Sequence, residues 1–175
     1  MELKDSNPGI LGVIADIIKV EKQYETAIET ALGGTIQNIV TDKENTAKEL
    51  INYLKVNKLG RATFLPLNAI HSRNTLENDN CINEKGVVGV ASNLVRVSFE
   101  YEGLAKYLLG RILVVDNIEN ALVIARKYKY SLRIVTLEGE QLNPGGSMTG
   151  GAFKNSSNLL WTKKERLKNL RQRFQ

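Results

Sequence analysis

"GILGVIADIIKVEKQYETAIETALG" (residues 9–33) and "GVVGVASNLVRVSFEYEGLAKYLLG" (residues 86–110) are two versions of one segment, with every aligned pair 77 positions apart. Gly9, Gly12, Val13, Val20, Tyr24, Glu25, Leu32 and Gly33 return unchanged at Gly86, Gly89, Val90, Val97, Tyr101, Glu102, Leu109 and Gly110. Ile17, Ile18 and Lys19 return as Leu94, Val95 and Arg96. The match continues with small deletions. "IVTDKENTA" (residues 39–47) resembles "LVVDNIENA" (residues 113–121) at a spacing of 74, and "RATFLPL" (residues 61–67) aligns with "RIVTLEG" (residues 133–139) at 72. Self-similarity on this scale marks a duplicated supersecondary unit. The chain therefore divides into lobe one, residues 9–67, and lobe two, residues 86–153. Residues 68–85, "NAIHSRNTLENDNCINEK", are polar and lack helical periodicity, as a linker should.

Both lobes follow one grammar. A β-branched run, residues 13–20 or 87–97, reads as a strand. A helix comes next, because Tyr24, Ala27, Ile28, Ala31 and Leu32 share one face at 3.6-residue spacing, as do Tyr101, Leu104, Ala105, Leu108 and Leu109. Gly33 and Gly110 follow, where a left-handed helix end is cheapest for glycine. Second strands are expected over residues 36–40 and 112–115. Asp42 and Asp116 stand ready to cap the following helices. The apolar faces of those helices are Ala47, Leu50, Ile51 and Leu54 in lobe one, and Ile118, Ala121, Leu122 and Ala125 in lobe two. Third strands close the lobes over residues 62–67 and 132–137. Strands alternating with helices predict a mixed α/β fold of the α+β type, with sheets covered by helices. After the repeat, "EGEQLNPGG" predicts a turn at residues 138–140 and one last short strand.

The chain has 175 residues, 42% hydrophobic and 25% charged, which is ordinary globular composition. No apolar run is long enough to span a bilayer, and "MELKDSNPG" lacks the apolar core of a secretory signal. A single cysteine, Cys81, excludes an internal disulfide and fits a reducing cytoplasm. The net charge of +5 is concentrated at one end. "TKKERLKNLRQRFQ" (residues 162–175) holds Lys163, Lys164, Arg166, Lys168, Arg171 and Arg173 against Glu165 alone, so the other 161 residues sum to zero. Such a segment reads either as a solvated helix face or as an attractor of nucleic-acid phosphate. Leu160, Leu167, Leu170 and Phe174 are spaced seven, three and four, the seam of a coiled coil with Lys163 at the missing position. Residues 156–175 are expected to start a coiled coil, residues 1–8 to be the stub of another, and the chain to be cut from something larger.

Chemistry is hard to assemble from this composition. One histidine, His71, and one cysteine cannot make a metal site of the usual kinds, and no pair of carboxylates stands out. A Cys81–His71 nucleophile pair lacks an orienting group or oxyanion hole. The remaining candidate is "LNPGGSMTGGAFK" (residues 142–154), with four glycines within seven positions. A Walker loop needs lysine and a hydroxyl after its last glycine, and Ala152 and Phe153 stand there instead. A dinucleotide fingerprint should open a helix after the first strand. A plain flexible loop is poorly served by Met148, Thr149 and Phe153. Two Gly-Gly pairs flanking Ser147, Met148 and Thr149 suit an edge strand with bare backbone, which another chain can pair with.

These residues resemble a known family. "GVIADIIKV", "YETAIETALGG", "GRATFLPL", "LLGRILVVD", "IVTLEGE" and "NPGGSMTGG" together are similar to the hinge domain of SMC proteins, the chromosome-organising ATPases, and most to the bacterial homodimeric kind. The resemblance runs from Gly9 to about Phe153 and places a hinge over residues 9–155. It implies a two-lobed hinge with a pseudo-twofold axis, pairing into a ring-like homodimer. By motif match the seam would hold Gly145, Gly146, Ser147, Met148, Thr149, Gly150 and Gly151, set against lobe one of the partner. It also implies DNA contact, chiefly single-stranded and without base specificity, through basic residues at the coiled-coil junction. Lys163, Lys164, Arg166, Lys168, Arg171 and Arg173 occupy such a place. The ATPase heads of the family would lie outside this chain, so no catalysis, cofactor or metal is expected, and the location implied is cytoplasmic, on the nucleoid. The competing expectation is a small α/β nucleotide-binding domain or enzyme with its ligand on the glycine loop.

Overall fold

The computed structural model describes residues 7–72 and 74–152. Lobe one runs β1 (Ile10–Val13), a helical turn α1 (Ile14–Ile17), β2 (Lys19–Val20), α2 (Glu25–Leu32), β3 (Ile39–Thr41), α3 (Glu44–Val56) and β4 (Phe64–Pro66). Lobe two repeats this as β5 (Val87–Val90), a 3-10 turn (Ala91–Leu94), β6 (Val95–Arg96), α4 (Glu102–Leu109), β7 (Ile112–Val115), α5 (Ile118–Lys127) and β8 (Arg133–Thr136). It then adds β9 (Gln141–Leu142) and β10 (Met148–Thr149).

The sheets carry the duplication. β1 lies antiparallel to β3, and β3 parallel to β4; β5, β7 and β8 repeat that arrangement. Lobe two alone continues outward, with β9 on β8 and β10 on β9, to the order β10-β9-β8-β7-β5. The short strands β2 and β6 pair with each other, antiparallel, with Lys19 opposite Arg96. Those two residues are repeat equivalents. Antiparallel pairing of equivalent positions is what a twofold axis between two lobes produces. A continuous core crosses that axis: Ile14, Ile28, Leu32 and Val40 of lobe one pack in one cluster with Leu104, Leu109, Val114 and Val135 of lobe two. The lobes are therefore halves of one body.

The expected strand at residues 13–20 is two short strands with a helical turn between them, and residues 87–97 break in the same way. Ile14 and Ile18 are both buried, and a helical turn puts i and i+4 on one side. An unbroken strand would put them on one side too, so the burial pattern alone does not distinguish the two. Gly12 (φ +148°) and Gly89 (φ +159°) sit at the irregular register of β1 and β5. The second strand of lobe one starts at Ile39, since residues 33–37 form a 3-10 turn. Strand register also revises the third alignment. Thr41 pairs with Pro66, and Val115 with Thr136, so Pro66 corresponds to Thr136 at a spacing of 70 rather than 72.

Helix faces follow the periodicity with local departures. Ala27, Ile28, Ala31 and Leu32 are buried on α2, and Leu104, Ala105 and Leu109 on α4. On α3 the buried set is Thr46, Ala47, Leu50 and Leu54, while Ile51 is 52% exposed. Gly33 takes the expected positive φ of +53°. Gly110 does not: its φ is −69°, and glycine is needed there because a Cβ would strike the Lys106 carbonyl and lie 2.7 Å from Thr75 Cγ2. Asp42 Oδ1 accepts from Lys43 N (2.7 Å) and from the Thr46 hydroxyl (2.5 Å), and the latter bond chiefly holds its carboxyl below the usual range. Neither aspartate is the expected cap: α3 has Lys43 at its N-cap with no side-chain cap bond, and in lobe two the cap is Asn117, whose Oδ1 accepts from Asn120 N (2.9 Å), while Asp116 accepts from Asn117 N (2.8 Å).

The polar joint is not a free connection. Leu76 and Cys81, on two 3-10 turns, are fully buried against Val90, Leu113, Ile124 and Ile134. Leu76 N donates to Gly110 O (2.9 Å), and Glu84 accepts from Lys127 Nζ (2.6 Å) and Tyr128 Oη (3.0 Å). Among the described residues of this segment only Leu76 and Cys81 are fully buried, with Ile70 and Ile82 partly buried beside them, too irregularly spaced to show as a period. Leu76→Ala is expected to cost about 2–5 kcal/mol, as for other buried leucines. Urea unfolding would read this as a lowered midpoint at unchanged slope; a loss below about 1 kcal/mol would contradict the packing.

Candidate subunit interface

The glycine-rich stretch is a hairpin on the rim of lobe two. Thr136 N donates to Glu140 O (2.9 Å), Gly139 closes the turn at φ +93°, and the Thr136 hydroxyl bonds the Glu140 carboxylate. β9 then lies along β8. Gly146 N donates to Asn143 O (3.0 Å), with Pro144 and Gly145 (φ +90°) at the two central positions, the signature of a type II turn. Asn143 N bonds Ser147 O (2.9 Å), and β10 returns with Met148 opposite Leu142 and Thr149 opposite Gln141. Where one short strand was expected, two are present. β10 is the outermost strand of its sheet, and residues 147–152 are exposed, Met148 by half. Its outer row of backbone groups has no strand beside it among the described residues.

The four glycines have different reasons. Gly145, Gly146 and Gly151 hold φ of +90°, +107° and +128°, which L side chains rarely adopt, so this chain's own backbone requires them. An added Cβ at Gly145 or Gly151 would meet nothing within 4 Å, and one at Gly146 would lie 3.8 Å from Tyr130 Cδ1. Gly150 has no such φ, and its Cβ would meet only the Glu140 side chain, 3.2 Å from Cγ. Of the four, Gly150 is the glycine least required by its own chain.

Lobe one is open at the matching place. β4 ends its sheet, and among the described residues nothing takes the position that β9 fills on lobe two. Ile39 N donates to Thr63 O and Leu67 N to Thr41 O, so alternation turns the backbone groups of Phe64 outward. Beside this edge lies a cleft of about 560 Å³ lined by Ile51, Leu54, Lys55, Lys58, Arg61 and Ala62. The lobe-one outer core beneath it is small, with Ile10, Val13, Ile39 and Leu50 buried and Ala62 and Phe64 half-buried. Sequence reasoning did not find this edge. The only signal available was the absence from lobe one of any counterpart to residues 140–151.

His71 is exposed, and Cys81 lies in the lobe-two core, where burial pushes its thiol pKa up, so the two do not form a nucleophile pair. Among the described residues no group of three His, Cys, Asp or Glu side chains could hold a metal, and no helix is long and apolar enough to cross a membrane. Residues 1–6 of the expected stub, Phe153, Trp161, the heptad-spaced Leu160, Leu167, Leu170 and Phe174, and the basic Lys163, Lys164, Arg166, Lys168, Arg171 and Arg173 lie outside the described residues.

Comparison with known proteins agrees with this architecture. The family model "SMC proteins Flexible Hinge Domain" matches residues 7–125. The chain is 41% identical to the chromosome partition protein Smc of Bacillus subtilis over 99% of this chain and 15% of that protein. It is 44% identical to the same-named protein of Clostridium kluyveri over 87% of this chain and 13% of that one. The chain thus spans about one-seventh of the length of these relatives. Among solved structures it is similar to an asymmetric dimer of the Geobacillus stearothermophilus SMC hinge domain, with a TM-score of 0.81 and 38% identity over 98% of this chain and 71% of that one.

Proposed function

The chain belongs to the SMC hinge family, and from that premise we propose that it is the pairing module of a chromosome partition protein, homodimerising through the glycine-rich hairpin of lobe two. The observation that carries this reading is the mismatch between the lobes. Lobe two ends in an exposed edge strand, β10, and lobe one ends in an uncovered edge, β4, next to an apolar cleft. Two copies related by a twofold axis can each place β10 of one against lobe one of the other. That covers the β10 edge and the β4 edge of both copies in one closed, twofold arrangement. Residues 145–151 form the seam in this reading. The pairing is tested by molar mass from light scattering across a dilution series. A mass near twice 19.5 kDa is expected to persist on dilution; a monomer at every concentration would contradict the reading.

The second half of the proposal is DNA contact through Lys163, Lys164, Arg166, Lys168, Arg171 and Arg173, at the root of a coiled coil, with the whole protein working in the cytoplasm on the nucleoid. Its support is the charge distribution: those six residues stand in a segment of net charge +5 on an otherwise neutral chain. Contacts to phosphate do not discriminate sequence. Binding to a single-stranded oligonucleotide should therefore be indifferent to base order. Its affinity should fall with salt, with a log–log slope of about −0.7 for each phosphate engaged. Neutralising Lys163 and Lys164 should flatten that slope. Binding that ignores salt, or no binding at low salt, would count against the assignment.

A further inference from the structure

We propose that Tyr130 is a positioning residue for subunit pairing, holding the glycine turn that presents β10 to the partner. The inference rests on the seam reading above and adds a residue outside it. Lys129 and Tyr130 both have φ of +56°, two consecutive non-glycine residues in the left-handed region. Helix ends commonly place one such residue, usually glycine or asparagine. Lobe one shows the ordinary form. α3 ends with Leu59 N bonded to Leu54 O (3.0 Å), Lys58 is left-handed, and the next positive φ falls on Gly60. α5 ends with the equivalent bond, Tyr130 N to Ala125 O (2.8 Å), yet the second left-handed residue is a tyrosine.

That conformation has two consequences at the seam. The Tyr130 carbonyl accepts from Gly145 N (2.8 Å), tying the hairpin turn to the end of α5. The Tyr130 ring stands beside Gly146, its Cδ1 3.8 Å from where a Cβ would stand. One residue thus grips both glycines that lead into β10, and its own N–H is anchored on α5. A tyrosine in a strained backbone state is a poor choice for ending a helix. It does set the ring beside Gly146, where it limits how far the turn can swing away from the sheet. Preorganisation of this kind acts on association more than on folding, because a loose edge strand must be ordered on binding.

The test compares Tyr130→Asn and Tyr130→Phe with the unmodified chain. Asparagine tolerates the left-handed backbone and keeps the carbonyl but removes the ring. Each variant is measured for the dimer dissociation constant by dilution, and for its unfolding midpoint at concentrations where it is monomeric. Tyr130→Asn is expected to raise the dissociation constant about tenfold, the order expected when one or two side chains must be ordered on binding, with the monomer midpoint unchanged or raised. Tyr130→Phe should match the unmodified chain. A dissociation constant within twofold of the unmodified chain for Tyr130→Asn, or an equal loss for Tyr130→Phe, would overturn the role of the ring while leaving the seam intact. A chain that never dimerises would overturn the seam reading and this one with it.

Discussion

Gly86→Ala is expected to cost about 3 kcal/mol of stability, the sum of a strained backbone at roughly 1–2 kcal/mol and overpacking at roughly 1–3 kcal/mol. Gly86 has φ of +88°, and its added Cβ would come 2.5 Å from both Asn120 Nδ2 and Asp116 Oδ1. Neither neighbour is free to leave. Asn120 Nδ2 donates to Asp116 Oδ1 (2.9 Å), and Asp116 N donates to Gly86 O (2.9 Å). The glycine, the aspartate and the asparagine form one knot that fastens the entry of β5 to the start of α5. Lobe one ties the same knot with Gly9, Asp42 and Thr46: Asp42 N donates to Gly9 O (3.0 Å), and a Cβ on Gly9 would stand 2.6 Å from Thr46 Cγ2. Gly9 has no left-handed φ, so Gly9→Ala carries the overpacking cost alone, about 1–3 kcal/mol. Denaturant unfolding checks both. A Gly86→Ala chain within about 1 kcal/mol of the original would show that the knot does not hold the lobe.

Gly150→Ala should weaken pairing while leaving the single chain nearly untouched. Its Cβ would crowd only the flexible Glu140 side chain, and no positive φ stands in the way. Folding stability should therefore change by no more than about 0.5 kcal/mol, the usual range for surface substitutions. In the proposed pairing a second backbone lies against β10 and leaves no room for a methyl group. Overpacking there by about 1–3 kcal/mol corresponds to roughly 10- to 100-fold in dissociation constant. Alanine at Gly145, Gly146 or Gly151 is a poorer probe, because each would also strain its own chain. The dissociation constant from a dilution series, read beside the monomer unfolding midpoint, separates the two effects. Unchanged affinity in Gly150→Ala would remove close backbone approach as the reason for that glycine.

Much of this fold is legible in the repeat. Gly9 and Gly86, Val13 and Val90, and Tyr24 and Tyr101 return at fixed spacing because each pair occupies equivalent places about one axis. The antiparallel meeting of Lys19 with Arg96 shows where that axis runs. Helices α2 and α4 are legible because four or five apolar residues at 3.6-residue spacing leave little alternative. The turn inside residues 13–20 is not legible, since isoleucines at i and i+4 satisfy a strand and a helix alike. Register in the third strand is lost where two arginines, Arg61 and Arg133, align by identity but not by pairing. The role of Leu76 is hidden because a tertiary contact of one residue leaves no pattern. In the hairpin of residues 142–151, the glycines announce a special backbone, but the sequence does not separate those required by φ from the one that is not. The open edge of lobe one is visible only as something missing from a repeat.

The most direct test of pairing between lobe two and the partner's lobe one uses two chains that each gain one cysteine beside the native Cys81. Thr149→Cys places a thiol on β10, and Thr63→Cys places one on the exposed approach to β4. Cys81 is buried and does not compete. The chains are co-expressed and treated with a short bifunctional maleimide. A covalent dimer is expected from the mixture and little from either chain alone, because each seam joins unlike sites. Efficient cross-linking of Thr149→Cys to itself, or no covalent dimer from the mixture, would contradict the seam.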